Sequence, residues 1–220
     1  MKYPFLPLRD FVVLPGQRAV LFFGRKKSVK SIEFAIENNK SVVVSLQTDS
    51  HIDSPNIDDI NRIGVVAAIS QLTRLTDGTY KAVLEGNSVF KIEELVENDC
   101  YFVHGEEVRE KYDWKEKVVE VEALTRDIIK QFQIYVKLEK SFNIEDLMDV
   151  IANKDPFKLC YGIFSKLKIN AEKKQQILLK RDIIDKLEYT FSEIFSEIEI
   201  LRVNKRIQAI SVPTIFFQAL

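Results

Sequence analysis

The sequence predicts an α+β protein in which a mainly β N-terminal lobe with one helix precedes a group of helices that ends in a long one. Up to about residue 110, short runs rich in Val, Ile and Phe alternate with turn residues, which is typical of strands. Beyond about residue 117 the apolar residues recur at helical spacing. Many short strands with one helix indicate a small barrel or sandwich with the helix packed against it.

The first predicted strand is FLPLRDFVVL, residues 5–14, which is interrupted by the charge pair Arg9-Asp10 and ends at the turn Pro15-Gly16. Its apolar residues are expected in the core, namely Leu6, Leu8 and Val12. The next segments predict one helix over residues 28–38 capped by Ser28, a polar loop over 48–64, and a tight hairpin at Asp77-Gly78.

The C-terminal half predicts four further helices, most of them preceded by a capping residue. They cover 118–140, 144–152 after Asn143, a helix that starts at Asp155-Pro156, and 171–179 after Asn170. A fifth and longest helix starts at Asp182. Its apolar residues step by four and three, which is the 3.5-residue repeat of a coiled coil or a long bundle helix. This seam, a candidate for oligomer contacts, consists of Leu187, Phe191, Ile194, Ile198 and Leu201.

Composition restricts the classes of function. The 220 residues carry a net charge of −1, which argues against a protein that binds nucleic acid through its overall charge. Residues 151–220 hold twelve Lys and Arg against eight acidic residues, a mild excess typical of a solvated helical face. No apolar run is long enough to span a membrane, so no membrane partner is predicted. Two cysteines and no secretory signal predict a cytoplasmic protein.

Residues with catalytic or metal-binding potential do not form a recognisable motif. His51 and His104 have no partner at ligand spacing, and Cys100 and Cys160 stand apart. The sequence contains no phosphate-binding loop, dinucleotide fingerprint or nucleophile elbow. The carboxylate pairs occupy adjacent strand positions, which point to opposite faces. We therefore predict no enzymatic activity, cofactor or metal for this chain.

Binding surfaces are the remaining possibility, and aromatic residues suggest where they lie. Phe22 and Phe23 are consecutive, so one should face inward and the other outward on a strand. Tyr112 and Trp114 flank the joint between the two halves, where Trp114 either cements the halves or anchors a peptide. The candidate contacts for a bound protein are Leu14, Phe22, Phe23, Tyr112 and Trp114.

Four segments of the sequence stand out by their order and spacing: LPLRDFVVLPG, FFGRKKSVKSIEFAIENN, GVVAAISQLTRLTDGTYKAVLEGNSVFKIEEL and EIEILRVNKRIQ. Together they resemble the N-terminal region of the Lon family of ATP-dependent proteases, over roughly residues 4–208. The resemblance implies a PUA-like β lobe over 1–112 and a helical bundle over 118–208. It also implies that this region captures unfolded or degron-bearing proteins and helps assemble the oligomer. ATP and Mg²⁺ would belong only to ATPase and protease modules outside this chain, without which self-association should be weak.

The last residues depart from the family pattern. Residues 209–220, AISVPTIFFQAL, form an apolar tail broken by Pro213, where the family continues a charged helix. A truncated gene or fragment, an expression scar, or a separate protein would each produce such a tail. The alternative functions are therefore a stand-alone peptide- or protein-binding adaptor of the same fold and, less favoured, a nucleic-acid-binding module.

Overall fold

The computed structural model describes residues 1–110, 117–139, 142 and 144–211. Contacts divide the chain into two units, each compact in itself. The first unit comprises Met1–Lys111 and Asn170–Arg181, and the second comprises Tyr112–Ile169 and Asp182–Leu220. The predicted fold class, a mainly β N-terminal lobe followed by helices, is confirmed.

Six strands and one helix build most of the first unit. The strands are β1 Lys2–Leu8, β2 Arg18–Phe23, β3 Ser41–Leu46, β4 Ile63–Arg74, β5 Tyr80–Glu97 and β6 Tyr101–Glu107, and helix α1 is Lys26–Glu37. Their order is β2-β5-β4-β3-β1-β6, and β6 also pairs with β5. Five strands therefore close into a ring, with β2 attached outside it. Closure is possible because β5 is long: its first half pairs with β2 and its second half pairs with β6.

Apolar side chains from every strand of this ring fill its interior. Burial removes them from water, which is the main favourable term for a small β domain. The central cluster consists of Phe5, Val43, Ile60, Val66, Phe90, Ile92, Tyr101 and Val103. Ile60 belongs to the segment predicted as a polar loop, which contains a short 3₁₀ helix, Ile57–Asp59, capped by Asn56.

The N-terminal stretch is not the single strand that its apolar composition predicted. β1 ends at Leu8, and Arg9 turns outward to pair with Asp53. The chain then turns at Pro15-Gly16, where the Gln17 amide donates to the Leu14 carbonyl over 3.0 Å and Gly16 has φ of 76°. Proline followed by a positive-φ glycine is the sequence of a type II turn.

Backbone hydrogen bonds join the same turn to β5 and form a bulge there. The Gly16 amide donates to the Gly86 carbonyl over 2.8 Å, and the Gly86 amide donates to the Gln17 carbonyl over 2.9 Å. Two residues thus oppose one, which defines a bulge. A Cβ on Gly86 would stand 2.2 Å from the Leu14 carbonyl oxygen, so only glycine fits there. Leu14 itself is completely buried.

Helix α1 starts two residues earlier than predicted, and Ser28 is not its cap. The N-cap is Arg25, whose side chain makes no capping hydrogen bond. Ser28 lies in the first turn and is buried, while Ser31 bonds to the backbone of Tyr101, accepting from its amide over 3.1 Å. The helix therefore attaches to the ring through small residues on its inner face.

The predicted hairpin at Asp77-Gly78 is present, but its loop is wider than a two-residue turn. The Leu75 amide donates to the Thr79 carbonyl over 2.8 Å, which encloses the loop between β4 and β5. Gly78 has φ of 86°, while the Asp77 carboxylate accepts from the Thr79 amide. One positive-φ residue and one side-chain acceptor are sufficient for this turn.

The helices after residue 117 follow the predicted order. They are α2 Val118–Leu138, α3 Ile144–Ile151, α4 Pro156–Lys166, α5 Ala171–Leu179 and α6 Ile183–Ser211. Asp155 caps α4 by accepting from the Phe157 amide over 2.9 Å, and Asn170 caps α5 by accepting from the Lys173 amide over 2.9 Å. Asp182 does the same at the start of α6 for the Ile184 amide.

Helix α5 belongs to the first unit, although its neighbours in sequence belong to the second. It contacts β4, and its buried Gln175 donates from Nε2 to the Ile63 carbonyl over 2.7 Å. The first unit is therefore assembled from two separate pieces of the chain.

Candidate functional site

Strand β2 exposes apolar side chains on its outer face. Val20 is 52% exposed and Phe22 is 62% exposed, whereas Ala19 and Phe23 on the other face are buried. The two phenylalanines therefore face opposite ways, as expected for consecutive strand residues. Phenylalanine offers a large area for burial, so Phe22 is a strong candidate for a protein contact.

A cavity of about 590 Å³ lies beside the C-terminal half of β2. One wall is formed by residues 7–11 at the end of β1, and the other by residues 21–25. Phe22 is among the residues that line the cavity, and its side chain is exposed on the strand face, so the cavity adjoins the apolar face of β2. Cavities of this size accommodate a few side chains or a small ligand.

Arg25 holds the two walls of this cavity together. Its guanidinium donates to the Pro7 carbonyl, to Gln47 Oε1 over 2.7 Å and to the Asp53 carbonyl over 3.3 Å. Burial, and secondarily the nearby Arg9, lower the pKa of Arg25 from its ordinary value. Its donors thus bond mainly to neutral acceptors, which indicates a role in positioning the walls.

A second cavity of about 520 Å³ lies against α1 and β6. Phe34 and Phe102 meet edge to face with ring centroids 4.9 Å apart, and the Lys2 ammonium lies 4.4 Å from the centroid of Phe102. Phe34 is 41% exposed. This aromatic surface had no signal in the sequence, because Phe34 and Phe102 become neighbours only through the fold.

The structure separates the predicted contact residues. Phe22 is at the surface, while Leu14 and Phe23 are buried. Leu14 is covered because the turn and bulge press it onto β5, and Phe23 faces inward by strand alternation. Leu14 is therefore inaccessible to a partner, which corrects the predicted set, while Phe23 reaches only the wall of the cavity beside β2. Tyr112 and Trp114 lie outside the described residues.

The predicted seam on α6 faces the interior of the second unit. Leu187, Ile194 and Ile198 are buried, and Phe191 and Leu201 are half-buried. Helix α6 packs against α2 and α4, so the seam is used as bundle core. The apolar residues that α6 does expose lie elsewhere, and these include Phe195, Ile200 and Val203.

The titratable side chains of the described residues bear on two kinds of site, a metal site and a reactive thiol. Within residues 1–110, 117–139, 142 and 144–211, no three His, Cys, Asp or Glu side chains gather as a metal site requires. Burial, and then Asp99, raise the pKa of the buried Cys100, which disfavours a reactive thiolate. None of the described helices is long and apolar enough to cross a membrane.

These features define the general class of a binding module: exposed apolar side chains lie beside a cavity whose walls are joined by a half-buried arginine, Arg25. The family model for the substrate-binding domain of ATP-dependent protease La (LON) matches residues 2–194. The chain therefore belongs to the family of Lon substrate-binding domains, as the sequence motifs suggested.

Relatives and solved structures agree with this assignment. The chain is 35% identical to the Lon protease of Escherichia coli K12 over 208 residues, which are 94% of this chain and 26% of that protein. It is 36% identical to the Lon protease of Desulforamulus reducens over 204 residues, 93% of this chain and 25% of that protein. The chain thus spans about a quarter of the length of these relatives.

Two solved structures share the fold. The N-terminal domain of a Mycobacterium avium complex Lon protease superposes with a TM-score of 0.69 at 20% identity, covering 88% of this chain and 98% of that domain. The Lon N-terminal domain protein from Xanthomonas campestris gives 0.56 at 16% identity, covering 87% of this chain and 98% of that one.

Proposed function

We propose that this chain is the client-capturing region of a Lon-type ATP-dependent protease. It binds apolar segments that unfolded or degron-bearing proteins expose, and ATPase and protease modules of the same enzyme act on what it captures. Its membership of the substrate-binding family supports the role, and the exposed outer face of β2 supplies the surface.

Contact at Phe22 alone is weak. Burying a phenylalanine side chain contributes about 2 kcal/mol, which corresponds to roughly a thirtyfold gain in affinity. Several copies held together raise the effective concentration of such sites. Weak single contacts therefore suit a module that samples many clients, and we assign assembly mainly to the ATPase module, with weak self-association of this chain.

The test compares one model protein in two states, folded with its disulfides intact and unfolded after reduction and alkylation. We expect the chain to bind the unfolded form and not the folded one, measured by titration calorimetry. Phe22→Ser should weaken this binding about tenfold, because it removes exposed apolar area without touching the core.

The matched control is Val119→Ser on α2, where Val119 is 82% exposed. It removes surface apolarity in the second unit and should leave binding unchanged. Equal binding of the folded and unfolded forms, or equal losses in the two variants, would contradict the proposed function.

A further inference from the structure

Strand β2 has a free edge. Each of the five ring strands has at least two strand neighbours, while β2 pairs only with β5 among the described strands. The hydrogen bonds of the described residues show no backbone partner on the other side of β2. Such an edge presents unpaired donors and acceptors in a row.

The register identifies which groups point outward. The Gly86 amide bonds to the Gln17 carbonyl, so this pair is a hydrogen-bonded one. Bonded and non-bonded pairs alternate along an antiparallel ladder, so the next bonded pairs contain Ala19, Leu21 and Phe23. The amides and carbonyls that face away from β5 therefore belong to Arg18, Val20 and Phe22.

The side chains of Arg18, Val20 and Phe22 indicate which kind of segment could pair with this edge. Val20 and Phe22 are exposed and apolar, so they favour apolar side chains on a neighbouring strand. Arg18 lies at one end in an ion pair with Glu85, and Lys81 lies across from Phe22 on β5, so the exposed face is slightly cationic. A lysine-rich segment would be disfavoured beside it.

We propose that β2 captures clients by β-strand addition. An extended segment with apolar residues at alternate positions, and neutral or acidic residues between them, pairs its backbone with Arg18, Val20 and Phe22. This inference rests on the proposed client-binding function and specifies its mode: main-chain bonds supply affinity, and side chains beside Val20 and Phe22 supply a preference for apolar sequence.

The deciding experiment uses a short peptide in which Val and Phe alternate with Thr and Glu, titrated into the full chain. Two N-methylated versions carry methyl groups on one or the other alternate set of amides. One set of amides faces β2 in an added strand and the other faces solvent. We expect about a tenfold or greater loss for one version and a change within about twofold for the other.

The outcomes separate this inference from the function on which it rests. Equal affinities of both methylated peptides and the parent would overturn strand addition while leaving client capture intact. No binding of any peptide or of the unfolded protein would refute both. Formation of a dimer that the peptide does not dissociate, seen by sedimentation, would assign the edge to a second copy and overturn the proposal.

A pair of variants tests the protein side. Val20→Pro removes an outward amide without breaking a bond to β5, and proline is tolerated on edge strands. Val20→Ala removes most of the side chain and keeps the amide. We expect Val20→Pro to lose at least about tenfold in peptide affinity and Val20→Ala about twofold. Losses of equal size, with both variants folded by circular dichroism, would overturn the proposal; if Val20→Pro fails to fold, the peptide pair decides.

Discussion

Strand β2 and helix α6 both carry apolar residues at regular spacing, yet they use them in opposite ways. On α6 the regular residues Leu187, Ile194 and Ile198 are buried inside the second unit. On β2 the outward residues Val20 and Phe22 stay exposed. The long apolar repeat of α6 is thus buried within its own unit, while the short edge strand β2 leaves apolar side chains exposed.

The largest difference in stability is expected when a buried side chain of the α6 seam is shortened. Leu187→Ala should lower the free energy of unfolding by about 2–5 kcal/mol, because it leaves a cavity in the bundle core. Phe22→Ser should change it by less than about 0.5 kcal/mol. Urea denaturation measures both, and comparable losses in the two variants would remove the distinction between core and surface.

A smaller effect is expected where β2 joins β5. Gly86→Ala places a Cβ 2.2 Å from the Leu14 carbonyl oxygen and should destabilise the first unit by about 1–3 kcal/mol. Gly24→Ala is the matched control, because its Cβ would lie 3.5 Å from Thr79 Oγ1, an ordinary contact. Thermal unfolding of both variants measures the difference. If Gly86→Ala left the thermal stability unchanged, the bulge would not be what holds β2 against β5.

The smallest effect concerns α6 at alkaline pH. Burial, and then Glu193, raise the pKa of Tyr189 to about 12 from its ordinary value of 10.0, and its ring stacks on Phe164. The unfolded chain loses this proton first, so the stability contributed is complete below pH 10 and is lost as pH rises through about 12. Tyr189→Phe should flatten the decline in that interval, measured by denaturation at several pH values. An unchanged slope would contradict the shift.

The sequence predicted the helices, strands and turns better than it predicted which of them pack together. Local signals placed the caps Asp155 and Asn170 and the hairpin at Asp77-Gly78, because capping and turn geometry depend on a few adjacent residues. Strand alternation also separated Phe22 from Phe23.

What the sequence could not provide is the pairing of distant segments. The sequence left Leu14 available as a contact, but the fold buries it where the Pro15-Gly16 turn meets β5, and the seam of α6 fitted an oligomer as well as a bundle. The free edge of β2 depends on how the five ring strands close, and this closure cannot be predicted from the pattern of neighbouring residues.

The two-piece construction of the first unit sets an order of events during synthesis. Residues Met1–Lys111 are synthesised about 70 residues before Arg181 completes the second piece of the unit, which contains α5. At about 5–20 residues per second this interval lasts roughly 4 to 14 seconds. Until it ends, the Ile63 carbonyl lacks Gln175 and the face of β4 that α5 covers stays open. The lobe that we propose captures unfolded proteins is therefore itself incomplete until the chain has been made as far as Arg181.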